Sequence, residues 1–173
     1  MRYNPLPHTF YQNNRKAFSE SLKPNSLAVF NSNDIYPISA DSTLPFAQHR
    51  DIFYLTGVDQ EETILVLFPD AIEKKHRELL FVKETNAHIA VWEGAKLDKI
   101  QAFEASGIKT VYWLDEFEAI LKALVHEAKH VYFNTNEHLR AKIEVETRDA
   151  RFGKWIRETY PDQNYEFSAP IMH

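Results

Sequence analysis

Apolar positions along this chain follow two rhythms, and the change from one to the other marks out the elements. Short unbroken runs read as buried strands: Leu27 to Phe30, Thr63 to Phe68 ending at Pro69-Asp70, Glu78 to Val82, Lys109 to Trp113, and Val131 to Phe133. Asp51 to Thr56, rich in aromatic and branched residues and closed by Gly57, is predicted as a further strand. The short polar connections in this region favour antiparallel neighbours. Elsewhere apolar residues recur every three or four positions. Thr9 is predicted to cap a helix whose face uses Phe10, Ala17, Phe18 and Leu22, stopped by Lys23-Pro24-Asn25. Leu97, Ile100 and Phe103 mark a short helix that closes near Gly107. The clearest helix carries Phe117, Ile120, Leu121, Leu124 and Val125 on one face, with Asp115 and Glu118 spaced as a capping box at its start.

Three stretches resist this reading. From Asn31 to Gln48 the sequence Asn31-Ser32-Asn33-Asp34, with Pro37 and Pro45, predicts an irregular loop. Glu137 to Tyr160 is charged and helix-rich, but its apolar phase breaks between Ile143 and Phe152 and Gly153 interrupts it, so two helices or one bent helix are expected. Pro161 to His173 shows no periodicity. Helices and strands that alternate around several buried strands predict an α/β domain with a mixed sheet covered by helices.

Composition narrows the chemistry. At 173 residues and 44% hydrophobic, the chain fits one domain able to bury about 70% of its unfolded surface. It has no cysteine, which excludes disulfides, thiolate zinc sites, iron–sulfur clusters and a cysteine nucleophile. A net charge of −5 has the wrong sign for a dedicated nucleic-acid binder. The longest clean apolar run, Ile64 to Phe68, is too short to cross a bilayer, and the opening MRYNPLPHTF is unlike a signal sequence. A cytoplasmic protein with neither membrane nor nucleic-acid partners is the expectation.

One motif asks for a metal. His126-Glu127-Ala128-Lys129-His130 spells H-E-x-x-H, which on a helix puts two imidazoles on one face to hold zinc with the glutamate as base. Here a strand is predicted to begin at the second histidine, and Lys129 brings a positive charge within a turn of the would-be dication. A solvated helix end, where His and Lys complement the dipole, competes with the zinc reading. His8, His49, His76, His88, His138 and His173 are scattered and read as surface residues. There is no glycine-rich phosphate loop and no G-x-S-x-G elbow. No catalytic residue and no metal ligand is assigned within this chain.

Two segments hold more polar and aromatic detail than a core requires: Ser39 through Gly57, and Ala90-Val91-Trp92-Glu93-Gly94. The run from Ser39 to Gly57 resembles the pattern S-A-D-S-x-Y-P-Y-R-Q-x-S-D-F-x-Y-L-T-G of the N-terminal domain of Xaa-Pro aminopeptidases (aminopeptidase P), in the creatinase/prolidase family. Asp41, Pro45, Gln48, Asp51, Tyr54, Thr56 and Gly57 fit it, while Leu44, Ala47 and Arg50 replace the usual Tyr, Arg and Ser. The tract around Trp92 and Gly94 is similar to the family's W-x-G segment.

The resemblance implies a three-layer α/β fold, a mixed β-sheet flanked by helices, of the creatinase/prolidase N-terminal type with a ribonuclease H-like motif. It implies that residues 1–173 form a single non-catalytic domain. Hydrolysis next to proline would then belong to a C-terminal pita-bread domain absent from this chain, which binds two Mn ions through two Asp, one His and two Glu. The residues matching Asp41 and Trp92 are implied to wall the substrate pocket, Trp92 from a neighbouring subunit. Expected partners are the chain's own catalytic domain, further copies in a dimer or tetramer, and proline-containing peptides. A free-standing binding module of the same fold and, more remotely, an H-E-x-x-H zinc peptidase remain as alternatives.

Overall fold

Six strands form one sheet in the order β6-β5-β4-β1-β7-β8. In this computed structural model, which describes residues 5–40, 42–135 and 146–172 and of Trp92 and Glu93 only the backbone, the strands are β1 (Ser26–Asn31), β4 (Ile64–Leu67), β5 (Glu78–Val82), β6 (Thr110–Trp113), β7 (His130–Phe133) and β8 (Asn164–Phe167). Two more, β2 (Pro37–Ser39) and β3 (Ser42–Thr43), make a small separate ladder. β1 runs antiparallel to β4, and β4 to β5, whereas β5/β6, β1/β7 and β7/β8 are parallel. The sheet is therefore mixed, as the alternation of elements predicts.

The helices are α1 (His8–Glu20), α2 (Arg50–Thr56), α3 (Ala87–Glu93), α4 (Lys99–Ser106), α5 (Phe117–Glu127), α6 (Arg148–Thr159) and α7 (Ala169–Met172). Alternate strand residues point to opposite faces, and each face has its own core. Leu27, Val29, Val66, Phe81, Val131 and Phe133 meet Phe117, Leu121 and Val125 of α5 and Phe152 and Ile156 of α6. On the other face Ala28, Phe30, Leu65, Leu80 and Tyr132 meet Phe18 of α1, Ile52 and Leu55 of α2 and Ala102 of α4. This is the expected three-layer arrangement.

Several local expectations give way. Asp51–Thr56 is helix α2, not a strand: Ile52, Leu55 and Thr56 share one buried stripe at helical spacing, His49 caps its start and Gly57 its end. Pro7, not Thr9, occupies the cap position of α1, whose buried residues are Tyr11, Arg15 and Phe18. On α4 the sides are reversed: Ile100 and Phe103 are exposed, and the small residues Ala102 and Ser106 are buried where the layers approach closely. The Asp115–Glu118 box is replaced by a single 3₁₀ turn at Leu114–Glu116, in which Glu116 Oε1 accepts from the Trp113 N–H at 3.1 Å. Gly153 lies inside α6 without interrupting it. Of the predicted segment Glu137–Tyr160, residues 137–145 lie outside the described residues. The aperiodic tail supplies β8, an edge strand with only one neighbour and so little need of a buried face.

Candidate functional site

Where β1 and β7 end, side by side and parallel, the chain turns from apolar to polar: Asn31 closes β1 and Ser32-Asn33 follow it, and Asn134-Thr135 follow β7. The N-termini of α2 and α6 face the same place. His49 Nδ1 accepts from the Asp51 N–H at 3.3 Å, and Thr147 Oγ1 accepts from the Ala150 N–H at 3.2 Å, so each helix opens on a side-chain cap. Between them lies a cleft of about 1090 Å³, bordered also by Gln48, Arg50, Arg148, Ala169 and Pro170. The carboxyl edge of parallel strands is where open α/β sheets keep their crevices.

The cleft floor holds two buried carboxylates, each taken up by an asparagine. Asn134 Nδ2 donates to Asp51, and Asn31 Nδ2 donates to Asp149 Oδ1 at 3.0 Å. His49 Nε2 stands 3.7 Å from the other oxygen of Asp149. Burial pushes the Asp149 carboxyl up to about 6; the Asn31 hydrogen bond and His49 pull the other way, and the nearby Asp51 charge adds to the rise. Arg148 Nη1 donates to Ser32 Oγ at 2.9 Å, and the same oxygen accepts the Thr63 N–H at 3.1 Å. Burial lowers the pKa of this guanidinium, against the pull of Asp34, Glu62 and Asp149. Chemically the cluster can hold a proton near neutrality and present a polar wall. Among the described residues no group of three or more His, Asp or Glu is placed to hold a metal ion.

The pattern residues from Gln48 to Gly57 prove to be the frame of α2. Gln48 Nε2 donates to the carbonyls of Val58 at 3.1 Å and Gln60 at 2.9 Å, and its Oε1 accepts the His49 N–H at 2.8 Å, which fixes the approach to the helix. Thr56 Oγ1 donates to the Ile52 carbonyl and accepts from the Val58 N–H. Gly57 adopts φ +70°, and a Cβ there would stand 2.4 Å from the Tyr11 ring, so only glycine lets α2 end against α1. Tyr54 is half exposed and packs edge-on against Phe10 at 6.3 Å. Of these, Gln48 and Asp51 line the cleft.

Of the residues assigned to the substrate pocket, Asp41 lies outside the described residues. Trp92 belongs to α3, but its side chain also lies outside them. The H-E-x-x-H residues do not share a helical face: α5 ends at Glu127, whose Oε1 accepts the Ile72 N–H at 2.6 Å, and His130 opens β7. His49, read as a surface residue, is a helix cap beside Asp149. Sequence reasoning misses Asn31, Asn134, Arg148 and Asp149; polar residues at the ends of two buried strands are a signal for Asn31 and Asn134, whereas Arg148 and Asp149, in the first turn of α6, carry none.

The family model described as "Aminopeptidase P, N-terminal domain" matches residues 11–132. The chain belongs to that family. Its sequence is 27% identical over 165 residues to the Xaa-Pro aminopeptidase of Escherichia coli K12, covering 94% of this chain and 37% of that one. Against human Xaa-Pro aminopeptidase 3 it is 29% identical over 105 residues, covering 60% of this chain and 21% of the relative. A Bacillus anthracis structure assigned as an aminopeptidase P superposes with a TM-score of 0.84 at 27% identity, over 96% of this chain and 39% of that one. The low-pH form of E. coli aminopeptidase P shares the fold, with a TM-score of 0.73 over 98% of this chain and 39% of that one. This aminopeptidase P N-terminal domain thus spans well under half the length of these relatives.

Proposed function

We propose that the chain is the non-catalytic part of an Xaa-Pro aminopeptidase, an enzyme that releases the residue preceding a proline at the amino terminus of a peptide. In this reading the domain walls and gates the entrance to the active site and supplies contacts between subunits of a dimer or tetramer. Hydrolysis is carried by two Mn ions in a catalytic domain outside the chain, and the enzyme works in the cytoplasm, where a chain without cysteine loses nothing.

The family match over residues 11–132 carries this reading, together with the short share of the relatives that the chain covers. Asp41 and Trp92 are the residues we place at the pocket wall. An indole gives rigid apolar surface to lie beside a proline ring, and a carboxylate accepts hydrogen bonds from a substrate ammonium.

The test is made on the full-length protein loaded with Mn²⁺. It should cleave a peptide with proline second and leave its alanine-second analogue intact, and Trp92→Ala should lower kcat/KM without shifting the melting temperature. A drop in thermal stability with normal kinetics in the folded fraction would put Trp92 in the core instead. Sedimentation of the same protein reads the oligomer.

A further inference from the structure

Helix α3 is apolar and yet buries none of its described side chains. Ala87, Ile89, Ala90, Val91 and Trp92 make up most of its seven residues, but none of those described is buried, and Val91 is 76% exposed. Its first turn is closed by Asn86, whose Oδ1 accepts from the N–H groups of His88 and Ile89 at 3.0 Å each and whose carbonyl accepts the Ala90 N–H at 2.9 Å. A helix this short, with none of its described side chains buried, does not hold a fixed place by itself.

Its place is fixed at the base. The excursion that carries α3 leaves β5 at Lys83 and runs to Leu97 just before α4, and both of its legs meet one tripeptide, Gln60-Glu61-Glu62, at the turn before β4. Lys83 Nζ meets Glu62 Oε2 at 2.9 Å. On the returning leg Lys96 Nζ pairs with Glu61 Oε1, and the Leu97 N–H donates to Gln60 Oε1 at 2.7 Å. The tripeptide is itself held firmly: Gln60 is 6% exposed, its carbonyl accepts from Gln48 Nε2, and the Glu61 carbonyl accepts from Thr63 Oγ1 at 3.2 Å.

The two ion pairs are unequal. Lys83 and Glu62 keep 34% and 39% of their side-chain surface in water, where such a pair contributes little. Lys96 and Glu61 keep 8% and 19%, so each charge is largely withdrawn from water and depends on the other. Burial pushes the Glu61 carboxyl up, but the hydrogen bond and charge of Lys96, a backbone hydrogen bond and the charge of Lys83 together outweigh it and hold the group below its ordinary value. Removing either partner leaves the second charge poorly solvated, and the cheapest relief is for the returning leg to move out.

We infer that Glu61 and Lys96 are positioning residues that hold helix α3, and with it Trp92, in place for Xaa-Pro turnover. The inference rests on the reading of Trp92 given above. Aligning a substrate-facing group in advance removes an ordering cost at binding, so its release shows in KM more than in kcat.

The experiment uses the full-length Mn²⁺ enzyme carrying Glu61→Gln, with Lys96→Met, which keeps the aliphatic stem, as a second variant. Amide hydrogen exchange should speed up across residues 87–94 and stay unchanged in β4 and β5. KM for the proline-second peptide should rise about fivefold, as expected for uncoupling one contact, with kcat little altered. The exchanged pair Glu61→Lys with Lys96→Glu should restore both readings, and Glu61→Gln should cost nothing further in a Trp92→Ala background. Unchanged exchange at 87–94, or losses from Glu61→Gln and Trp92→Ala that multiply, would overturn the inference. Faster exchange at 87–94 alongside normal turnover by Trp92→Ala would overturn the reading of Trp92 and leave the anchoring of α3 supported.

Discussion

Gly153 of α6 lies flat against the ring of Phe133 in β7: a Cβ on the glycine would stand 2.5 Å from Cε2 of that ring. The ring cannot withdraw, because Phe133 is buried and edged by Phe152, Tyr165 and Phe167 at 6.4, 6.2 and 5.4 Å. Alanine in place of a mid-helix glycine ordinarily stabilises by about 1 kcal/mol, whereas overpacking a core costs about 1–3 kcal/mol. Gly153→Ala is therefore expected to destabilise by about 1 kcal/mol despite its better helix propensity, and urea denaturation measures it. A gain in stability would show that α6 can lift away from β7.

Arg15 is fully buried, and its guanidinium ties four elements together. Nη1 donates to the Leu55 carbonyl at 2.8 Å and the Ser106 carbonyl at 3.0 Å, at the last turns of α2 and α4, while Nη2 meets Glu78 Oε2 of β5 at 3.1 Å. Arg15→Met preserves the apolar stem but strands two carbonyls, which should cost about 3 kcal/mol in thermal or chemical unfolding. Arg15→Lys should recover only part of this, since one ammonium cannot reproduce the forked geometry.

Asp149 gives the domain a pH dependence with a definite sign. Its carboxyl is raised from 3.8 to about 6 in the fold, so the folded state binds the proton more tightly than the unfolded state. The corresponding stability is fully present below about pH 4 and is lost as the pH rises through about 6, on the order of 3 kcal/mol in all. Asp149→Asn keeps an oxygen for Asn31, removes the charge beside Asp51 and leaves His49 without an anionic neighbour there. The variant should show a flatter stability profile from about pH 4 to about pH 7 and a higher melting temperature at about pH 8. Parallel profiles for the two proteins would mean that the burial is relieved by water.

Much of the sheet is legible in the sequence because its strands are buried on both faces and read as unbroken apolar runs, as at Leu27–Phe30 and Leu79–Val82. Helix α5 is legible for the opposite reason, a clean apolar stripe on a polar helix. Asp51–Thr56 misleads because its aromatic and branched residues favour strands locally, while the fold needs Ile52 and Leu55 on one side of a single short helix. On α4 the large residues suggest the buried face and the small ones supply it, since layer spacing is a tertiary property. The cleft is the least legible part: Asn31, Asn134 and Asp149 are far apart in sequence and become one cluster only through the pairing of β1 with β7.

That pairing also bears on the order in which the protein can assemble. β1 meets β4 across residues 32–63, and β4 meets β5 across residues 68–77, so this antiparallel half closes shorter loops than the pairing of β1 with β7. Leu27 finds Val131 only after the chain has made nearly the whole of its excursion, and β8 then adds outside β7. Loop-closure entropy makes that ladder the slowest to form, and topologies weighted toward such distant pairs fold slowly. Until β7 arrives, one side of β1 is an open edge of unpaired amides and carbonyls carrying fully apolar side chains, the surface on which a nascent chain is most exposed to pairing with the wrong partner.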